Sequence, residues 1–458
     1  MGLLRKGHRI LPEPASCAVP AWATLVLVVA VEEAMERIAV ERLRVGLWVS
    51  MEDIPGTGFL LRSEAQIAAF ATLGITHVWH EPARSEAEPL PATGPAEEAV
   101  SALPEAGGDG SAAFLAAESR PSAFDEEPEV APPADALDAQ RQSLDRCERR
   151  FSAVSRTFRT VLLNVRAQPE EAHALAAAEI GGMVRAMQRE PDVAIRLLSE
   201  KAGQETALHA INVSVLSVLL ARSMGFDEAF VQAVGLGALL HDIGKIELPD
   251  VMRGKGDSTN PTERRMFQSH VEHGRGLAGR MGLPEAAFAA VVQHHEAADG
   301  SGFPQGLRNE ALHPAARIVA LVNHYDNLCN PPNPIHALTP HDAIASIYRK
   351  ANAAFDADTL KAFVRMMGIY PPGSVLQLSD GRFALSVAVD PANALKPRVI
   401  IHDPAVPADE ALVVALAERP ELSIQRAIKP QALPRAALDY LKPRKRASFF
   451  IESRPPRA

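Results

Sequence analysis

Cysteine is nearly absent: Cys17, Cys147 and Cys329 are widely spaced in 458 residues and form no CxxC pair. That excludes a disulfide framework and a zinc knuckle and points to a reducing cytosol. Positive charge is not in excess, since 47 Lys and Arg face 56 Asp and Glu for a net charge of −9. A nucleic-acid-binding surface is therefore not the main business of the chain. Aromatic residues make up only 5% beside abundant Ala, Leu and Val, a balance that favours helices. No apolar run near the start reaches the roughly 20 residues needed to span a bilayer. The longest there, Ala21 to Val31, follows the basic Arg5, Lys6, His8 and Arg9, but Glu32 and Glu33 stand where a signal-peptide cleavage site belongs. Met35-Glu36-Arg37-Ile38 reads like a fresh start, so residues 1–34 are expected to be an extension of a chain that naturally begins at Met35.

What is present divides the chain. Residues 35–81 hold a small α/β unit, with a strand-like Leu43–Met51, a helical Ser63–Leu73 and a strand-like Ile75–Trp79. His77 and His80 read as surface or edge residues there. Residues 82–135 are Ala, Glu, Pro, Gly and Ser with few large apolar side chains, the composition of a disordered acidic linker. Helical periodicity then runs from 136 to 370, with helices at roughly 137–166, 170–189, 205–223, 227–241, 262–281, 284–296, 314–328, 340–353 and 358–367. Asp227 and Thr262 are expected N-caps. Alternation at Val375–Leu378, Phe383–Val389 and Arg398–His402 predicts a short β-meander within 371–430, and the basic 431–458 reads as a flexible terminus. The expected fold is mainly α: a helical bundle, a small α/β N-terminal domain and a short C-terminal β-meander.

Histidine is the conspicuous polar residue, at 15. Helix 205–223 carries Glu205 and His209 one turn apart, and helix 227–241 ends in His241-Asp242 with Lys245 nearby. Helix 262–281 carries His270 and His273, and helix 284–296 ends in His294-His295-Glu296 before Asp299-Gly300-Ser301-Gly302-Phe303-Pro304. Successive helices thus deliver imidazoles and carboxylates into apolar surroundings, where a shared metal satisfies them all.

HDIGK followed about 50 residues later by HHEAADGSGFP resembles the HD-GYP family, the branch of HD-domain metal phosphohydrolases that opens the bacterial second messenger cyclic di-GMP. Residues 35–80 also resemble a domain of uncertain role that precedes some members. The resemblance implies His209, His241, Asp242, His270, His294 and His295 as metal ligands, with Asp242 bridging two metals, and Glu205 as a ligand for a third. Lys245 would neutralise phosphate charge, Gly300 and Gly302 would let backbone approach the substrate, and Phe303 would offer a base a platform. It implies an HD-type helical bundle, two or three transition-metal ions, iron or manganese foremost, and hydrolysis of cyclic di-GMP to pGpG, with GMP as the end product left open. The alternative is a regulatory module of the same fold that binds the nucleotide or a partner protein. Signalling partners and a homodimer stay open; a nucleic-acid polymer and a membrane span are not expected.

Three departures bear on this. Phe303 stands where the signature has tyrosine. Asn323 stands where the family has a ligating Asp; it offers an amide oxygen without charge, with His324 as a stand-in and Asp326 read as capping or bracing its helix. The family's Arg-Pro-Tyr segment is replaced by Cys329-Asn330-Pro331-Pro332, leaving Lys245, Arg308 and Arg317 as the candidate phosphate contacts.

Overall fold

The computed structural model describes residues 36–50, 59–61, 64, 67, 77–80, 82 and 85–88 of one unit, and 120, 122–124, 135–189, 193–199, 205–253, 260–350 and 352–453 of a second. The N-terminal unit holds an antiparallel sheet of β1 (Glu36–Ala39), β2 (Trp48–Ser50), β3 (Phe59–Leu60) and β4 (His77–His80) in the order β1-β4-β2-β3. Ile38, Leu43, Leu47, Val49, Leu61 and Val78 form its core. His80 is buried in the sheet instead of lying at a surface or edge, because β4 runs between β1 and β2. The expected helix Ser63–Leu73 falls almost wholly outside the described residues, as do the extension 1–34 and most of 82–135.

The second unit opens with α1 (Ala136–Asn164) and α2 (Pro169–Arg189), then β5 (Val193–Leu197), α3 (Glu205–Ser223) and α4 (Glu228–Leu240). There follow α5 (Pro261–Gln268), α6 (His270–Met281), α7 (Glu285–Gln293), α8 (Pro314–Cys329), α9 (Pro340–Lys350) and α10 (Ala357–Met367). The bundle is built around α3 and α4, which are buried over most of their length, polar side chains such as Asn212 included. By composition the helical stretch Glu228–Glu247 could cross a membrane, but here it is largely packed inside the protein.

Local chemistry sets the boundaries. Asp227 caps α4 by accepting the Phe230 amide at 2.8 Å. The expected cap at Thr262 belongs to Asn260, whose oxygen accepts the Thr262 and Glu263 amides, with Pro261 at the first helical position. The single helix expected over 262–281 is two: Ser269, whose hydroxyl donates to the Met266 carbonyl, separates α5 from α6.

The meander expected at 371–430 is part of a larger sheet. Strands β6 (Val375–Leu378), β7 (Phe383–Val389), β8 (Arg398–Ile401), β9 (Val413–Ala415) and β10 (Ile424–Ile428) are joined by β5 and by β11 (Phe449–Ser453). The order is β10-β6-β7-β5-β11, with β8 pairing β7 and β9. The flexible C-terminus expected at 431–458 is corrected on this point: Arg435–Leu441 forms the helix α11, and Phe449–Ser453 pairs with β5 residue for residue. The basic run Lys442–Arg446 masked an apolar strand, Phe449-Phe450-Ile451, that buries completely. Part of the expected linker is also held. Arg120 pairs with both oxygens of Glu171, and Phe124 is buried against Phe450 at 6.0 Å.

Candidate metal centre

The HDIG turn sits at the end of α4 and is pressed onto α6. A Cβ on Gly244 would lie 1.9 Å from the His270 carbonyl oxygen and 2.4 Å from the Gly274 nitrogen, so only glycine permits the contact. That approach brings Asp242 among the histidines of neighbouring helices.

Three imidazoles are fixed in the same way. Each donates from Nδ1 to a carbonyl three residues earlier: His241 to Ala238 at 2.7 Å, His270 to Phe267 at 2.6 Å and His294 to Val291 at 2.8 Å. A carbonyl only accepts, so the proton must be on Nδ1 and Nε2 of the neutral ring carries a bare lone pair. His209 reaches the same state by another route, with Nδ1 at 2.7 Å from the Asp326 carboxylate. The freed nitrogens converge. His209 Nε2 lies 3.2 Å from His241 Nε2, and His270 Nε2 lies 3.3 Å from His294 Nε2.

Asp242 divides these nitrogens into two halves. Its Oδ2 is 3.6 Å from His209 Nε2 and 3.4 Å from His241 Nε2. Its Oδ1 is 3.5 Å from His270 Nε2 and 3.7 Å from His294 Nε2. His295 completes the second half, its ring 4.2 Å from that of His294 and stacked on Phe303 at 4.5 Å. Asp242 Oδ1 and His295 Nε2 are buried without a hydrogen-bond partner. Lone pairs facing each other at about 3 Å, beside an unpartnered carboxylate oxygen, are unfavourable unless cations lie between them. The donor set fits two divalent ions bridged by one carboxylate.

The electrostatics agree. Burial lowers the pKa of His270, and burial followed by the neighbouring imidazoles lowers those of His294 and His295 further, so these rings stay neutral and ready to ligate. Burial acts to raise the Asp242 carboxyl, but Lys245 and the surrounding histidines outweigh it and hold it well below the usual range. A pH dependence follows. Histidines depressed below the ordinary 6.5 bind fewer protons folded than unfolded, so stability rises with pH across that window and falls as pH drops below the unfolded value. Metal-free protein is expected to melt at lower temperature at pH 5.5 than at pH 7.5, as read by circular dichroism; a melting temperature that is flat or rises on acidification contradicts this.

Other expected site residues fall as follows. Glu205 begins α3, but its side chain lies outside the described residues. His273 is exposed and stands outside both clusters, five-sixths of a turn past His270 and so rotated about 60° from it, towards solvent. His324 turns away to pack against Phe355 at 5.3 Å. Asn323 is buried, and its oxygen accepts the Asn327 amide at 2.8 Å within α8. Lys245 donates to Asp242 Oδ2 at 2.5 Å and lies over the Phe267 ring. Arg317 is spent on structure, donating to the Leu312 and Asn309 carbonyls and facing Asp356. Arg308 is exposed, in a β-bridge with Asp299.

The glycine-rich loop folds on itself. A Cβ on Gly302 would lie 2.3 Å from the Ala297 nitrogen and 2.5 Å from the His295 oxygen, so this glycine lets the loop fold back on the ligand-bearing turn. The aromatic of the signature likewise steadies one of the clustered imidazoles: the Phe303 ring lies on His295 and its amide donates to the His295 carbonyl. Glu296, the residue after the paired histidines, closes the loop by accepting the Gln305 and Leu307 amides at 2.7 and 2.9 Å.

Residues 192–359 match the family model of the HD domain, and residues 35–176 match a domain of unknown function, DUF3391. A cyclic di-GMP phosphodiesterase of Pseudomonas aeruginosa is 28% identical over 381 residues, which is 80% of this chain and 84% of that protein. One of Thermotoga maritima is 30% identical over 179 residues, 38% of this chain and 47% of the relative. A 3'3'-cGAMP-specific phosphodiesterase of Vibrio cholerae is 30% identical over 131 residues, 28% of this chain and 25% of the relative.

Proposed function

We propose, from the match of residues 192–359 to the HD domain, that this chain is a metal-dependent phosphodiesterase that opens cyclic di-GMP to linear pGpG and on to GMP. The observation that supports this most directly is the pair of imidazole groups facing the two oxygens of Asp242, with Nε2 of His209, His241, His270 and His294 left bare because each Nδ1 donates to a fixed carbonyl or carboxylate. His209, His241 and Asp242 would hold one ion, and Asp242, His270, His294 and His295 the other. Two such cations polarise a phosphoryl oxygen, activate water and stabilise the leaving oxygen. Mixed imidazole and carboxylate ligation suits iron or manganese better than magnesium.

The chain's own residues supply the rest. Lys245, half-buried beside Asp242, is the cation placed to exchange its carboxylate partner for a substrate phosphate. Phe303 holds His295 in the second half of the site. Asn323 does not turn the reading towards a non-catalytic module, because both ligand groups close without it. Free buried thiols at Cys147 and Cys329 accord with a cytoplasmic enzyme.

The relatives act on more than one cyclic dinucleotide, so the substrate is tested by offering cyclic di-GMP and 3'3'-cGAMP separately to manganese-loaded protein. The expected result is a kcat/KM at least about tenfold higher for cyclic di-GMP, a difference of about 1.4 kcal/mol in transition-state binding. Preference for 3'3'-cGAMP keeps the chemistry and overturns the substrate; hydrolysis of neither overturns the function.

A further inference from the structure

The HD family model ends at residue 359, but the support behind its metal ligands continues to the C-terminus. The Asp326 carboxylate is completely buried. Its Oδ2 takes the proton-bearing nitrogen of His209, and its Oδ1 accepts the side-chain amides of Asn212 at 2.8 Å and Asn330 at 2.9 Å. Both amides are in turn fixed by one short segment. The Ala447 carbonyl accepts from Asn212 and from Asn330, each at 2.8 Å, while the Ala447 amide donates to Asn330 Oδ1 and the Phe449 amide to Asn212 Oδ1, each at 2.9 Å. Each asparagine is left one orientation only, the one that aims its amide at Asp326.

That segment is itself anchored. It leads into β11, where Glu452 is buried and takes donors from Ser143 at 2.9 Å and Arg398 at 3.0 Å, with Arg196 at 3.6 Å. Phe450 packs edge-on against Phe151 of α1.

We propose that Ala447–Phe449 is a positioning element of the metal centre, acting through Asn212 and Asn330 to fix Asp326, and through it His209, at the half of the site shared with His241 and Asp242 Oδ2. The proposal rests on the two-metal reading of that site. An acidic side chain this deeply buried keeps its direction only while its donors do, and a ligand that loses its outer partner typically loses about 10- to 100-fold in metal affinity. The wiring reaches only His209. The half built from His270, His294 and His295 has its own carbonyl anchors and does not depend on the C-terminal segment.

The test is a titration of metal-free full-length protein with manganese, followed by equilibrium dialysis, for wild type, Asn330→Ala and Asn330→Asp. Asn330 lies at the end of α8 and is half-buried, so these variants disturb little packing. Wild type is expected to take two ions. In Asn330→Ala one of the two is expected to weaken about tenfold or more while the other holds, and the metal-free protein should melt somewhat lower because the Ala447 amide loses its acceptor. Asn330→Asp retains the oxygen that receives the Ala447 amide but turns a carboxylate on Asp326, and should weaken the same ion further. A two-ion titration identical to wild type in the aspartate variant overturns the proposal, and so does equal weakening of both ions, the mark of a merely structural role. Wild type that takes no manganese contradicts the metal reading itself, and the proposal falls with it.

Discussion

Replacing Asp242 with alanine is expected to abolish turnover and to release metal from both halves of the site at once. This carboxylate gives one oxygen to each imidazole pair, so its loss opens both ligand groups together, whereas loss of any histidine opens one. Stabilisation of a phosphoryl transition state by paired cations amounts to several kcal/mol, which converts to a fall in kcat on the order of 10³-fold or more. The fold should survive. Asp242 is half-buried at the end of a helix whose core residues are untouched, and it pairs with Lys245 alone among the cationic side chains. Metal content by atomic emission, beside kcat, checks both parts. A variant that keeps two ions per chain and loses only activity would assign Asp242 to the chemistry and remove it from the bridge.

The second large effect is expected at Asp326, which touches no ligand-binding oxygen of Asp242 and yet determines which nitrogen of His209 is free. Asp326→Ala leaves the His209 Nδ1 without its acceptor and strands the Asn212 and Asn330 amides in a buried place. Each stranded donor costs about 1–3 kcal/mol, so a destabilisation of several kcal/mol is expected by urea unfolding. Asp326→Asn keeps the shape and removes the charge. It should fold nearly as well as the wild type and bind the ion on the His209 side about 10- to 100-fold more weakly. The comparison separates the two roles: an asparagine variant with wild-type metal affinity shows that the carboxylate serves only the fold.

Much of this site could be read from residue order. The spacing of His209, His241-Asp242, His270 and His294-His295 placed one imidazole or pair at each of several helix ends, and the bundle brings those ends together around the buried α3 and α4. What could not be read were the second partners. Nothing in the periodicity of α3 distinguishes Asn212 from a solvated asparagine, because its partners Ala447 and Phe449 lie more than 230 residues away in sequence. The strand β11 was hidden for a related reason: a three-residue apolar stretch after a basic run carries too little periodic signal, and it becomes a strand only because β5 offers an edge. His273, three residues past His270, lies rotated by about 60° towards solvent and outside both clusters. Gly302 is required by backbone packed against backbone, which the sequence cannot distinguish from an approach to substrate.

The account stands most directly on one measurement: metal content and cyclic di-GMP hydrolysis in the same preparation, purified anaerobically, before and after removal and restoration of metal. Two transition-metal ions per chain, linear pGpG as first product, loss of hydrolysis on chelation and its return with manganese or iron are the expected results. Full hydrolysis by protein shown to be free of metal, or two bound ions with no hydrolysis under any loading, would contradict it.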